Sequence, residues 1–224
     1  MVDLDLRPER RAALVDSVAE VLAIAVPGSR ISLRGSLATG EADQFSDIDL
    51  LWVVPGDRFT AAVAGVRETL ASVSQVSSVR SDPEFQGSGN RRLLFIQLAD
   101  LPLFWRIDLE VRSPSEFGPG GPVPVVGPLL AAEWSAAASA AANAVATIKA
   151  VARGHLVDAR GLLERGFDRM GETFDPSESW TGAVVRLARS SAAADPNLAT
   201  YGQQVANLAD VLLSMAGSPN DPVG

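Results

Sequence analysis

No cysteine occurs in the chain, and histidine occurs once, as His155. The first absence excludes disulfides and thiolate metal sites, and the second excludes histidine-cluster chemistry, so carboxylates are the side chains left to ligate a metal. Long apolar runs are missing too. No stretch approaches the roughly 20 residues that a membrane-crossing helix needs, although 47% of the residues are apolar and can supply a core. The N-terminus opens with Asp3, Asp5, Arg7 and Glu9 rather than with a basic and then apolar export signal, so a cytoplasmic protein without membrane contact is expected. Positive charge is also short: 19 basic residues face 27 acidic ones, for a net charge of −8. That balance disfavours a long nucleic-acid partner, whose phosphates need clustered Lys and Arg, and it is compatible with a small cationic ligand.

What the chain does contain is concentrated between Arg34 and Leu51, in the run Arg-Gly-Ser-Leu-Ala-Thr-Gly-Glu-Ala-Asp-Gln-Phe-Ser-Asp-Ile-Asp-Leu-Leu. Arg30 to Leu33 alternates and reads as a short strand that delivers Gly35-Ser36 to a turn. Ile48 to Val54 is an apolar run stopped by Pro55-Gly56, which reads as a strand buried on both faces. Residues two apart on a strand share a side, so Asp47 and Asp49 set two carboxylates next to each other. At about 5 Å and an effective dielectric near 20 they repel by roughly 3 kcal/mol. A hard divalent cation with oxygen ligands removes that conflict, and magnesium carrying a nucleoside triphosphate suits such a site. Gly35 lets the backbone approach an anion, Ser36 offers an N–H and a hydroxyl, and a helical turn over Leu37 to Gly40 would point its amides the same way.

A Gly-Ser turn followed about ten residues later by Ser46-Asp47-Ile48-Asp49-Leu50-Leu51 resembles the signature of the nucleotidyltransferase superfamily that includes DNA polymerase beta and the antibiotic-modifying nucleotidyltransferases. The resemblance implies a third acidic residue from a neighbouring strand, and Asp108 in Trp-Arg-Ile-Asp-Leu-Glu-Val matches that position. It further implies that Asp47, Asp49 and Asp108 hold two Mg2+ ions, that Gly35 and Ser36 hold the phosphates of ATP or another NTP, and that a nucleoside monophosphate passes to an acceptor hydroxyl with release of pyrophosphate. The segment Thr147 to His155 is similar to the helix that follows the catalytic domain in the small-molecule branch, where a lysine reaches the triphosphate. Lys149, the only lysine, takes that place, with a solvated lysine as the alternative. The expected acceptor is a small-molecule hydroxyl, in the first instance of an aminoglycoside-type antibiotic. Nucleotidylation of a protein, as in toxin and antitoxin systems, and a catalytically silent nucleotide-binding module are the alternatives. Oligomeric state has no recognisable code here, and a homodimer is compatible with the sequence.

The remaining pattern predicts an α/β (α+β) catalytic domain over 1–113, a Pro- and Gly-rich linker over 114–128, a four-helix bundle over 129–217 and a tail over 218–224. In the first domain, a helix over Arg7 to Ala25 places Leu14, Val15, Val18, Val21, Leu22 and Ala25 inward and Arg10, Arg11, Asp16 and Glu20 outward. A helix over Phe59 to Ser72 and strands over Val76 to Arg80, Arg91 to Leu98 and Leu103 to Val111 follow. The last strand has Trp105, Ile107, Leu109 and Val111 on one face and Arg106, Asp108 and Glu110 on the other. Glu110 is read as solvent-exposed, with acceptance of a proton from the attacking hydroxyl as the alternative. Arg91, Arg92 and Arg106 are read either as phosphate contacts or as rim residues. In the bundle, helices are expected over Ala131 to Arg153, His155 to Met170, Ser177 to Ala193 with Asp175 as N-cap, and Pro196 to Ala216. His155 is read as a boundary residue rather than a catalytic one.

Overall fold

The computed structural model describes residues 3–114 and 134–214. They divide between two compact units, one from Asp3 to Trp134 and one from Ser135 onward. From residue 115 the expected linker lies outside the described residues, as do the expected tail and the first three residues of the helix expected from Ala131.

The first unit is organised on a mixed five-stranded sheet: β1 (Arg30–Leu33), β2 (Ile48–Val53), β3 (Val76–Ser81), β4 (Arg91–Leu98) and β5 (Ile107–Arg112), in the order β1-β2-β5-β4-β3. Only β2 and β5 run parallel; the other neighbouring pairs are antiparallel. Helices α1 (Pro8–Ala25) and α3 (Phe59–Ala71) supply the apolar stripes Leu14, Val18, Leu22 and Phe59, Ala62, Val66, Leu70. These side chains are buried together with Ile48, Leu50 and Trp52 of β2, Ile107, Leu109 and Val111 of β5, and Leu94 and Ile96 of β4, which share one face of the sheet. A short helix, α2 (Gly35–Thr39), joins β1 to the loop before β2.

Three expectations change here. Burial alternates along β2 instead of covering both faces: Asp49, Leu51 and Val53 are only half-buried. An unbroken apolar run does not distinguish one covered face from two, and here the helices take one face while carboxylates occupy the other. Strand β5 begins at Ile107 rather than Leu103, because Pro102 opens a turn closed by the Trp105 N–H donating to the Pro102 carbonyl (2.9 Å). Arg11 is not on the wet side of α1: it is 4% exposed and lies on the stripe with Leu14, Val18 and Leu22.

In the second unit, α4 (Ala136–Ala152) packs against each of α5 (Leu156–Met170), α6 (Trp180–Ala194) and α7 (Ala199–Leu213). Ser135 caps α4 by accepting from the Ala138 N–H at 3.1 Å, and Gly154, at φ +76°, lets the chain leave that helix. The start of α6 moves relative to expectation. Ser179 is its N-cap, accepting from the Gly182 N–H at 3.0 Å, whereas Asp175 accepts from the N–H and hydroxyl of Ser177 and closes a separate turn. The short Asp side chain satisfied a nearer donor than the helix offered. Asp195 likewise closes a 3-10 turn over Pro196–Leu198 before α7 begins.

Close helix approach in this unit depends on glycine. A Cβ at Gly166 would run into Cδ2 of Leu187 on α6, and one at Gly202 would lie 3.0 Å from the Ala188 carbonyl oxygen. Gly161 on the same helix as Gly166 meets only the far end of Arg165. Gly166→Leu is therefore expected to lower unfolding stability by about 1–3 kcal/mol through overpacking. Gly161→Ala should raise it by up to about 1 kcal/mol through helix propensity. Urea unfolding of the two variants checks this, and equal effects would contradict the packing described.

Candidate active site

The site is built where the N-terminal ends of β2 and β5 meet. The Ile48 N–H donates to the Arg106 carbonyl (2.9 Å), and the loops that enter the two strands are joined by Phe45 and Phe104, edge to face at 5.2 Å. The loop before β2 is further fixed by Arg11, whose Nη1 donates to the carbonyls of Asp43 (2.6 Å) and Ser46 (3.0 Å). Burial pulls the Arg11 guanidinium below its usual pKa, and the charges of Asp43 and Asp47 oppose that shift. Ser46 closes the loop from within, donating to Asp43 Oδ1 and accepting from the Asp43 N–H. With both strand ends held, Asp49 and Asp108 are register partners across the parallel pair, and Phe95 of β4 is the next residue in the same row.

The Gly-Ser turn is locked to the same place. The Arg34 N–H donates to the Asp49 carbonyl at 2.8 Å, and Gly35 takes φ +54°, a left-handed conformation. A Cβ on Gly35 would stand 3.1 Å from Asp49 Cγ and overlap Oδ2. Gly35 is thus needed for its backbone angle and for the space its hydrogen leaves to the carboxylate. Helix α2 starts at this glycine, so the N–H groups of Gly35, Ser36 and Leu37 belong to its first turn and have no partner inside the helix.

A cation already stands among the carboxylates. Arg106 donates twice to Asp108, from Nε and Nη2 at 2.6 Å each, and its Nη2 lies 3.4 Å from Asp47 Oδ2. The guanidinium rests over the Phe95 ring at 5.0 Å. Among the described residues no three acidic side chains are gathered closely enough to hold a metal as they stand; Arg106 bridges two of the three. The donor chemistry nevertheless fits a hard divalent cation: carboxylate oxygens from two strands and a loop, with positive charge placed between them.

Gly35, Ser36, Asp47, Asp49 and Asp108 all lie in the sheet-bearing unit, at one edge of β1, β2 and β5. Lys149 belongs to the helical unit, in the last turn of α4, where a cation suits the helix end. His155 is exposed at the start of α5 and its side chain makes no capping bond. Glu110 corrects its expected exposure: it is 9% exposed and bonded to Arg91 Nε at 2.7 Å and to Arg112 Nε and Nη2 at 2.8 and 2.6 Å. Burial, the largest influence, works against its ionisation, but the guanidiniums of Arg112 and Arg91 together hold its pKa below the usual carboxylate value. Arg92 is fully buried on the opposite, apolar face, where it donates to the carbonyls of Gln86 and Ser88 and so fixes the loop before β4. That placement removes it from the phosphate candidates. The contribution of Arg11 was not anticipated, though its spacing of 11, 14, 18 and 22 with the apolar stripe carries the signal.

Residues 15–121 match the model of the nucleotidyltransferase domain family. No curated protein matches the chain significantly. Among solved structures, the GLD-2/RNP-8 complex shares 17% identity at a TM-score of 0.37, over 49% of this chain and 42% of that one. Cid1, described for its RNA terminal uridylyl transferase activity, shares 17% at 0.38, over 52% and 33%. A cytoplasmic RNA terminal U-transferase shares 13% at 0.35, over 80% and 46%. The chain thus spans less than half the length of each of these solved chains.

Two substitutions should move metal affinity in opposite directions. Gly35→Ala displaces the Asp49 carboxylate and is expected to weaken Mn2+ binding by about tenfold or more, a loss of at least roughly 1.4 kcal/mol. Arg106→Gln removes the competing cation and is expected to strengthen binding by about tenfold, since a unit charge near 4 Å is worth a few kcal/mol at an effective dielectric of 20. A calorimetric Mn2+ titration reads both, and a weaker affinity in Arg106→Gln would contradict the arrangement.

Proposed function

Residues 15–121 of the chain belong to the nucleotidyltransferase domain family, and from that premise we propose that the protein transfers a nucleoside monophosphate, AMP in the first instance, from a nucleoside triphosphate to a hydroxyl of a small-molecule acceptor. The observation that supports this most is the meeting of the Gly35 turn with Asp49, and of Asp49 with Asp108, at one edge of the sheet. Asp47, Asp49 and Asp108 are the residues that would hold divalent magnesium. When bound, the metal would neutralise the triphosphate and lower the pKa of the acceptor hydroxyl.

The chain's own residues then act by position and charge. Gly35 and Ser36 present amides and a hydroxyl to the β and γ phosphates, which keeps the leaving pyrophosphate in line with the attack. Asp108, across from Asp49, faces the attacking oxygen. The acceptor oxygen forms a bond to the α phosphorus as the bond from that phosphorus to the bridging oxygen breaks. The electron pair leaves with pyrophosphate, and the hydroxyl proton passes to a carboxylate, for which Asp108 is the nearest candidate. Arg106, released from Asp108 and Asp47, would remain beside the phosphates on its Phe95 support.

Pyrophosphate release measured with each of the four ribonucleoside triphosphates across a panel of hydroxyl acceptors tests the reading. Turnover is expected with at least one pair. Asp49→Ala and Asp108→Asn should each lose on the order of a thousandfold, comparable to removal of a principal electrostatic stabiliser, while thermal unfolding shows an intact fold. Undiminished turnover in either variant, or a folded wild-type protein silent with every pair, would refute the assignment.

A further inference from the structure

Two residues beyond Asp108 on β5, and so on the same face of the sheet about 7 Å away, Glu110 gathers guanidiniums from three different segments. Arg91 comes from β4 and Arg112 from β5; Arg34 reaches in from the end of β1, with Nη1 at 3.7 Å from Glu110 Oε2. Glu110 Oε1 already accepts three N–H bonds, from Arg91 and Arg112. Arg34 faces the other oxygen, Oε2, and is held there by charge at a distance beyond a hydrogen bond, with its side chain 50% exposed. Arg91 is pre-oriented in another way, its guanidinium lying 3.9 Å from the centre of the Phe85 ring.

A purely structural ion network accounts for Arg112 and Glu110, the least exposed members, with side chains 20% and 11% exposed. It does not account for Arg34. Even with Arg112 set aside, Arg34 and Arg91 share one carboxylate, which leaves an excess positive charge on this part of the face in a chain whose net charge is −8. Arg34 also immediately precedes Gly35, so its backbone is fixed by the bond to Asp49 while its side chain stays adjustable. Two guanidiniums held apart by a common carboxylate, with donors left over, suit the oxygens of a phosphate.

We propose that Arg34 and Arg91 form a subsite for a phosphate group of the acceptor, so that the acceptor is a phosphate-bearing alcohol and not a polycation. The proposal rests on the nucleotidyl-transfer reading, because that reading puts the acceptor hydroxyl at Asp108. A phosphate at Arg34 and Arg91 then lies about one sugar unit from the reacting hydroxyl. A polycationic acceptor would meet two like charges at the same place.

Calorimetry on the full chain tests this without turnover. The probes are ribose 5-phosphate and the trinucleotide ApApA for the acceptor's phosphate, magnesium tripolyphosphate for the donor's phosphates, and kanamycin as a polycation. The wild type is expected to bind at least one of the first two, more weakly as salt rises. The double variant Arg34→Gln/Arg91→Gln should lose about tenfold or more for that probe, Arg34→Lys/Arg91→Lys should keep most of it, and tripolyphosphate should be unaffected. If the double glutamine variant fails to fold, Arg34→Gln alone, which removes no hydrogen bond, is expected to lose about threefold. The proposal is overturned if neither phosphate probe binds, if binding is independent of the arginines, if the loss falls on tripolyphosphate, or if kanamycin binds and the phosphates do not. Pyrophosphate release is a separate readout, so the subsite can fail while nucleotidyl transfer stands, and the reverse.

Discussion

The parallel pairing of β2 with β5 is the constraint on which the rest of the first unit turns. It is the single parallel contact in an otherwise antiparallel sheet, and it places the N-terminal ends of two strands on the same edge. Two residues distant in sequence, Asp49 and Asp108, become direct neighbours by register alone. The bond from Ile48 N–H to the Arg106 carbonyl and the Phe45–Phe104 contact hold that edge closed. Antiparallel β1 then returns the chain to the same edge, so the Gly35 turn abuts Asp49 without a long connection.

Such a concentration of carboxylates opposes folding unless positive charge accompanies it. The fold meets that need with arginine at two levels. Arg106 stands between Asp108 and Asp47, and Arg91 and Arg112 bind Glu110 one step along the same strand. A fourth arginine, Arg11, uses its donors on loop carbonyls rather than carboxylates and so shapes the segment that carries Asp47. The chain is acidic as a whole, yet the face that carries these carboxylates is close to balanced.

Much of this was legible in the residues themselves. Gly-Ser followed by Ser-Asp-Ile-Asp marks both turn and strand, and the alternation from Trp105 to Val111 put Asp108 on a polar face before any pairing was known. The boundaries of β1 and β4 match those expected, the first set by alternation and the second by the turns on either side, and the five-stranded mixed sheet with flanking helices and C-terminal helices is the architecture expected. What the pattern missed were side chains whose environment is set by distant segments. Arg11 looked wet because charge outweighed its place on the apolar stripe. Glu110 looked wet because nothing in β5 alone reveals Arg91 on the neighbouring strand or Arg34 beyond β2. Arg92 alternates with the apolar residues of β4, but only the loop carbonyls of Gln86 and Ser88 make its burial tolerable. Local rules of capping likewise favoured Asp175 over Ser179, because they do not weigh the nearer donor of Ser177.

The central claim is that Asp49 and Asp108 jointly present their carboxylates to a divalent cation that supports nucleotidyl transfer. Anomalous diffraction from crystals grown with Mn2+ and a non-hydrolysable nucleoside triphosphate measures this most directly. The account predicts a peak between Asp49 and Asp108, the phosphates on Gly35 and Ser36, and Arg106 withdrawn from Asp108. A bound nucleotide with no peak at these carboxylates, or with Arg106 still bridging Asp108 and Asp47, would contradict it.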